Sequence, residues 1–173
     1  MDQLNTQAIS RIVLRTKPSA TATLIPSALA PHITGSVHFY PAADGTLVVA
    51  EVFGLPRQIM HDGKLIPAGP FYAFHIHEGS ACGDPDDTNP FAASGMHLNP
   101  GAQPHPMHMG DMPPLMADRG YAYISFYDAR FTPAQVAGHT VVIHQGPDDF
   151  RTQPSGGAGN KIACGAIIAT EKD

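Results

Sequence analysis

Residues 74–78 read Phe-His-Ile-His-Glu, and a second histidine-bearing string, His-Pro-Met-His-Met-Gly-Asp, begins at His105. In a β-strand the side chains at i and i+2 point to the same face. His75 and His77 would then stand side by side, about one ligand sphere apart, a geometry that suits a metal ion. The same HxH spacing also arises by chance on exposed strands, so the rest of the chain must decide. Six of the ten histidines gather in three places: His75 and His77; His97, His105 and His108; and His144. Asp111 follows His108 closely enough to reach the same ion. Neutral imidazole and carboxylate are borderline donors suited to zinc and copper. Solvated loop histidines would account for His32, His61 and His139, but poorly for this clustering.

The segments that must carry these side chains read as short strands. ATATLIPS (20–27) is followed by ITGSVHFYP (33–41), and Ala-Ala-Asp-Gly (42–45) turns the chain into TLVVAEVFGLP, a hairpin signal. FYAFHIHE comes next, and strand character returns at YAYISFYD (121–128), HTVVIH (139–144) and IACGAIIA (162–169). Helical periodicity is weak: PAQVAG (133–138) offers at most one turn, and ISRIVLRT near the N-terminus reads as a short extra strand. Many short strands with turn signals predict an all-β sandwich or Greek-key barrel. Between 79 and 118 lies a long irregular stretch rich in Gly, Pro, Asp, His and Met. Loops of that length inside a compact domain are usually functional.

Bulk composition narrows the classes. The chain has 173 residues, long enough for one domain with a proper core. It holds 17 Gly and 17 Pro, which favours turns and short strands over long helices. A net charge of -5 with no basic patch argues against nucleic acid as a partner. No run approaches the ~18 apolar residues of a membrane span. The N-terminal MDQLNTQAISRIVLRTKPS lacks the apolar core of a secretory signal. A native start at Met1 would place the chain in the cytoplasm, and a removed leader in the periplasm or outside the cell. Cys82 and Cys164 could form a long-range disulfide or be two unrelated buried thiols.

These strings resemble the Cu/Zn superoxide dismutases from about residue 20 to 170. FHIHEGSAC resembles the family's strand with two copper histidines and, as in bacterial members, a following cysteine. GMHLNP resembles the segment of the bridging histidine, and HPMHMGDMPPL the zinc loop. GHTVVIHQGPDD resembles the last copper histidine and the start of the electrostatic loop. GGAGNKIACG resembles that loop's end, the active-site cation and the second disulfide cysteine.

The resemblance implies an all-β Greek-key barrel or sandwich of about eight strands, with long metal-binding and electrostatic loops. It would span 19–173 after a polar lead-in, 1–18, that could be flexible. It implies copper on His75, His77, His97 and His144, and zinc on His97, His105, His108 and Asp111. Asp148 would tie His75 to His105, and Cys82 would be joined to Cys164. Catalytic roles would fall to His97, as the metal-bridging imidazolate that takes a proton when copper is reduced, and to Lys161, as the cation that guides superoxide. The implied activity is disproportionation of superoxide to oxygen and hydrogen peroxide. A homodimer is the assembly to look for.

Some features depart from that pattern. Lys161 stands where the family usually has an arginine, keeping the charge but losing the planar fork. The zinc loop between His105 and Asp111 is short, and the stretch from His144 to Cys164 carries few charges. Met96, Met107, Met109, Met112 and Met116 crowd the metal loop. Thioethers favour Cu(I), which makes a non-enzymatic copper-buffering protein on the same fold the second reading, although most such methionines fill gaps in packing. SGGAGNK lacks phosphate-loop spacing, and DPDDTNPF lacks the Gly and terminal Glu of a calcium loop.

Overall fold

The computed structural model describes residues 5–61 and 64–171. Among the described residues, thirteen strands follow in chain order. They are β1 (Ala20–Thr23), β2 (Ile25–Pro26), β3 (Thr34–Ala42), β4 (Gly45–Phe53), β5 (Gln58–His61), β6 (Lys64–Pro67) and β7 (Phe71–Tyr72). The remainder are β8 (Phe74–His77), β9 (Leu115–Asp118), β10 (Tyr121–Asp128), β11 (Thr140–His144), β12 (Lys161–Ala166) and β13 (Ile168–Ala169). Two helices, α1 (Thr6–Arg15) and α2 (Pro133–Val136), and a 3-10 turn at Ala92–Ser94 complete the elements.

A seven-stranded sheet, ordered β13-β1-β3-β4-β10-β9-β7, faces a four-stranded sheet, β2-β12-β11-β8, and β5-β6 forms a separate hairpin. All named pairings are antiparallel, and β4 pairs with the distant β10 as a Greek key requires. The sheets stack as a sandwich with open edges rather than a closed barrel. Their inner faces are lined by Val37 and Phe39 of β3 and by Val48, Ala50 and Val52 of β4. Phe74 and Ile76 of β8 with Val141 and Ile143 of β11 face them, all fully buried. Each large side chain among these contributes about 1.5–3 kcal/mol by leaving water, so the inward alternation fixes the register of both sheets.

Three local readings differ from the sequence expectation. ISRIVLRT is helical, not a strand: Ile9, Ile12 and Val13 recur at helical spacing and pack on Tyr40, Leu47, Val49 and Tyr127 of the large sheet's outer face. The Asn5 side chain caps this helix by accepting from the Ala8 amide at 2.9 Å. FYAFHIHE is not one strand. It bends at Ala73, whose N–H donates to Gly146 and whose carbonyl accepts from His144, so β7 joins one sheet and β8 the other. Finally, the 79–118 stretch is not wholly irregular, since β9 occupies its end, and the β5–β6 hairpin carried no clear sequence signal. The single turn α2, closed by a Thr132–Gln135 capping box, is as expected.

Candidate metal centre

β8 is an edge strand, and its histidines alternate with Phe74 and Ile76 of the core. The long loop runs back along this edge. The Ile76 N–H donates to Gly110 at 2.9 Å, its carbonyl accepts from Leu98 at 2.8 Å, and the Gly110 N–H donates to Leu98 at 2.9 Å. Two separate loop segments are thereby tied to one residue of the strand and to each other, and His97, His108 and Asp111 arrive beside His75 and His77. A Cβ on Gly110 would fall 2.1 Å from the Ile76 carbonyl oxygen, so this approach admits only glycine. His144 ends β11, the strand paired with β8.

The sequence-predicted residues converge. One ligand atom from each of His75, His77, His97 and His144 lies within 4.8 Å of the others, and the same holds for His97, His105, His108 and Asp111. All seven residues of these two groups, which share His97, are buried. Each outer nitrogen of four rings has an acceptor. His75 Nε2 and His105 Nε2 each donate to Asp148 at 2.9 Å, through different carboxylate oxygens. His77 Nδ1 donates to the Gly95 carbonyl at 2.9 Å and His144 Nδ1 to the Gly159 carbonyl at 3.1 Å. An oxygen acceptor requires the proton on that nitrogen, so the opposite nitrogen of each ring carries a lone pair.

Among the described residues, no hydrogen-bond donor meets those lone pairs. His77 Nε2 and His144 Nε2 face each other at 3.3 Å. His75 Nδ1, His97 Nε2 and His105 Nδ1 are buried without a hydrogen-bond partner. Buried polar atoms left so are rare and costly. A cation in each group would satisfy them, and nitrogen and carboxylate donors of this kind fit copper and zinc.

Electrostatics point the same way. Burial, with the neighbouring His75 charge, pushes His144 down to about 3. Burial followed by the His144 and His97 charges holds His77 well below its ordinary value, and burial lowers His75. These rings are therefore neutral near pH 7, the form that ligates metal. Burial alone would raise Asp148 and Asp111. For Asp148 the hydrogen bonds from His75, the Phe150 amide and His105 outweigh it, and for Asp111 those from His97 and the His108 amide do, so both carboxyls sit below the usual range.

Several supporting groups escaped sequence reasoning. Arg130 Nη1 donates to the His108 carbonyl at 3.0 Å and Nη2 to the Asp111 carbonyl, while Nε holds Asp128 at 3.0 Å. One guanidinium thus fastens the loop to the end of β10. Gln153 brackets His105 by accepting from its N–H at 3.0 Å and donating to its carbonyl at 2.7 Å. Gly156, at φ 75°, leaves space that a Cβ would fill 2.0 Å from Asp148 Oδ1. None of these has a local motif; each acts through a fold-level contact. The methionines divide: Met112 is core and Met109 packs against it, whereas Met96, Met107 and Met116 are exposed. Packing therefore explains only part of the cluster.

Cys82 and Cys164 form a disulfide, with Cα atoms 5.8 Å apart, packed with Phe91 and Val142. It links the start of the long loop to β12.

Comparison with known proteins agrees with this architecture. The family model described as copper/zinc superoxide dismutase matches residues 33–167. A protein of Deinococcus radiodurans named Superoxide dismutase [Cu-Zn] is 34% identical over 154 residues, covering 79% of this chain and 78% of that protein. One of the same name from Caulobacter vibrioides is 31% identical over 150 residues, covering 77% of each. The solved Cu/Zn superoxide dismutase from Brucella abortus, 24% identical, has the same fold with a TM-score of 0.68, covering 85% of this chain and 98% of that one. A matched segment that holds both ligand groups, the shared histidine and the second cysteine, on this sandwich, places the chain in the copper/zinc superoxide dismutase family.

Proposed function

We propose that the protein is a superoxide dismutase, with copper on His75, His77, His97 and His144 and zinc on His97, His105, His108 and Asp111. The observation that carries this reading is the position of one ring. His97 Nδ1 lies 2.7 Å from Asp111 and 3.4 Å from His108 Nδ1. Its buried Nε2 has no partner, and its ring centre lies 4.0 Å from that of His75. A single imidazole therefore serves both groups, which a simple metal store does not need.

Bound copper supplies one-electron exchange, so that one superoxide is oxidised to oxygen and a second, with two protons, is reduced to hydrogen peroxide. The chain supplies the rest. With Nδ1 turned toward Asp111 and His108, His97 Nε2 is the atom at which a proton would be held and passed to the second superoxide. Asp148 fixes the rings of His75 and His105, and the Gly95 and Gly159 carbonyls fix those of His77 and His144. Such outer partners set tautomer and ring orientation. Lys161 places a positive charge beside the site of a chain whose net charge is -5, and a local cation focuses the field for a small anion within a Debye length of ~8–10 Å. We assign residues 19–173 to the dismutase domain, with α1 as an added brace on its outer sheet face.

The test is metal content together with superoxide decay, measured with and without added copper. Two metals per chain and fast decay that depends on copper are expected. Copper bound without dismutation would overturn the enzyme reading in favour of copper buffering.

A further inference from the structure

Lys161 is half-buried, and its ammonium has three N–H donors. Nζ lies 2.7 Å from Ser94 Oγ, 3.0 Å from the Gly95 carbonyl oxygen and 3.3 Å from the Phe91 carbonyl oxygen. The Ser94 hydroxyl spends its own proton on the Phe91 carbonyl at 2.8 Å, so it can only accept from the lysine. Three donors meet three acceptors, all in the turn 91–95.

One of those acceptors leads to the metal group. The Gly95 oxygen that receives Lys161 also receives the Nδ1–H of His77 at 2.9 Å. The turn is secured from its other side by Glu78, whose carboxylate accepts from the Met96 amide at 3.2 Å and whose amide donates to the Met96 carbonyl at 2.8 Å. Along β12, Cys164 staples the same loop through Cys82.

Resting on the dismutase reading, we infer that Lys161 is a positioning residue. It holds the Gly95 carbonyl where it fixes His77 as the Nδ1–H tautomer, with the Nε2 lone pair facing the metal group. Its influence on superoxide is then that of a fixed charge, because its N–H bonds are already committed to the protein. Lysine in place of a forked guanidinium leaves no spare donor, and Ser94 supplies the third acceptor.

The test uses metal-free protein labelled with ¹⁵N, so it is independent of dismutation. In the wild type, the Lys161 ammonium protons should exchange with water at least tenfold more slowly than those of exposed Lys64. The ring nitrogens of His77 should show the separate shifts of one protonated and one bare nitrogen. Lys161→Met should average those two shifts and speed amide exchange at Gly95 and Met96 by tenfold or more, and Lys161→Arg should restore both. Ammonium exchange as fast as at Lys64 would overturn the inference, even if Lys161→Met failed to fold. So would a single, unchanged His77 tautomer in folded Lys161→Met. A wild type that binds copper without dismuting superoxide would sink the enzymatic reading while leaving these outcomes as they stand.

Discussion

His75 and His105 donate to opposite oxygens of one carboxylate: His75 Nε2 to Asp148 Oδ2 and His105 Nε2 to Asp148 Oδ1, both at 2.9 Å. One ring belongs to the four-histidine group and the other to the His-Asp group. A single buried side chain thus aligns rings of both groups. In Asp148→Asn one oxygen becomes an NH₂ facing an N–H donor, so one ring loses its acceptor. Leaving that donor unpaired costs about 1–3 kcal/mol, and affinity for both metals should fall about 10–100-fold. Chelator-competition titrations measure this directly, and unchanged affinities would show that the carboxylate does not orient the rings.

Replacing His97 should separate the two groups. His97→Ala should still bind copper through His75, His77 and His144, but magnetic coupling between copper and a cobalt ion substituted for zinc should vanish. Superoxide turnover should fall and depend more steeply on pH, since the ring that holds a proton at Nε2 is gone. Electron paramagnetic resonance and stopped-flow superoxide decay report the two effects. Full activity at neutral pH would rule out the shared-ligand role.

Acid should weaken the metal-free fold. An unfolded chain protonates its histidines near pH 6.5, whereas folded His144 resists until about pH 3, and His77 and His75 are shifted in the same direction by burial. Between those values the unfolded state holds more protons, so stability is complete above about pH 6.5 and lost as pH falls. Each such histidine contributes a slope of about 1.4 kcal/mol per pH unit while the difference persists. Asp111 and Asp148, held low, add loss of the same sign at still lower pH. Urea midpoints of the metal-free protein from pH 7.5 to 4 should decline steadily; a flat profile would contradict the burial assigned to these rings.

The disulfide closes a span of 82 residues. In the chain-entropy model a loop of that length stabilises by roughly 4–5 kcal/mol. Reduction, or Cys82→Ala, should lower the unfolding temperature markedly and loosen metal, because the 79–98 limb loses its covalent tie to β12 and keeps only the hydrogen bonds of Lys161. Calorimetry before and after reduction gives the first effect and metal-release kinetics the second. An unfolding temperature that does not move would mean that the hydrogen bonds of Glu78 and Lys161 to the turn suffice alone.

Residue chemistry at short range was legible without coordinates. The i, i+2 spacing of His75 and His77 on a strand, the clustering of His97, His105, His108 and Asp111, and the strands β10 and β11 with their turns all follow from local pattern, as does the hairpin at Ala42–Gly45. The helix α1 departs from the strand expectation because the Ile9, Ile12, Val13 spacing spans little more than one turn of a ten-residue segment, and its stability comes from packing on Tyr40 and Leu47, far along the chain. The bend at Ala73 was hidden for the same reason: the backbone groups that hold it belong to residues 144–146.

The sequence by itself determined which side chains can ligate, which strands alternate inward, and the family likeness written in the histidine strings. Tertiary structure alone decided that the loop returns along the edge of β8, so that the amide and carbonyl of Ile76 tie down Gly110 and Leu98. It also decided that Arg130 fastens the His108–Asp111 turn and that the lysine at 161 is spent on the 91–95 turn. Local propensity acts through neighbouring residues, whereas these contacts join segments far apart in the chain. Their geometry exists only once the two sheets have packed and buried polar groups have had to find partners.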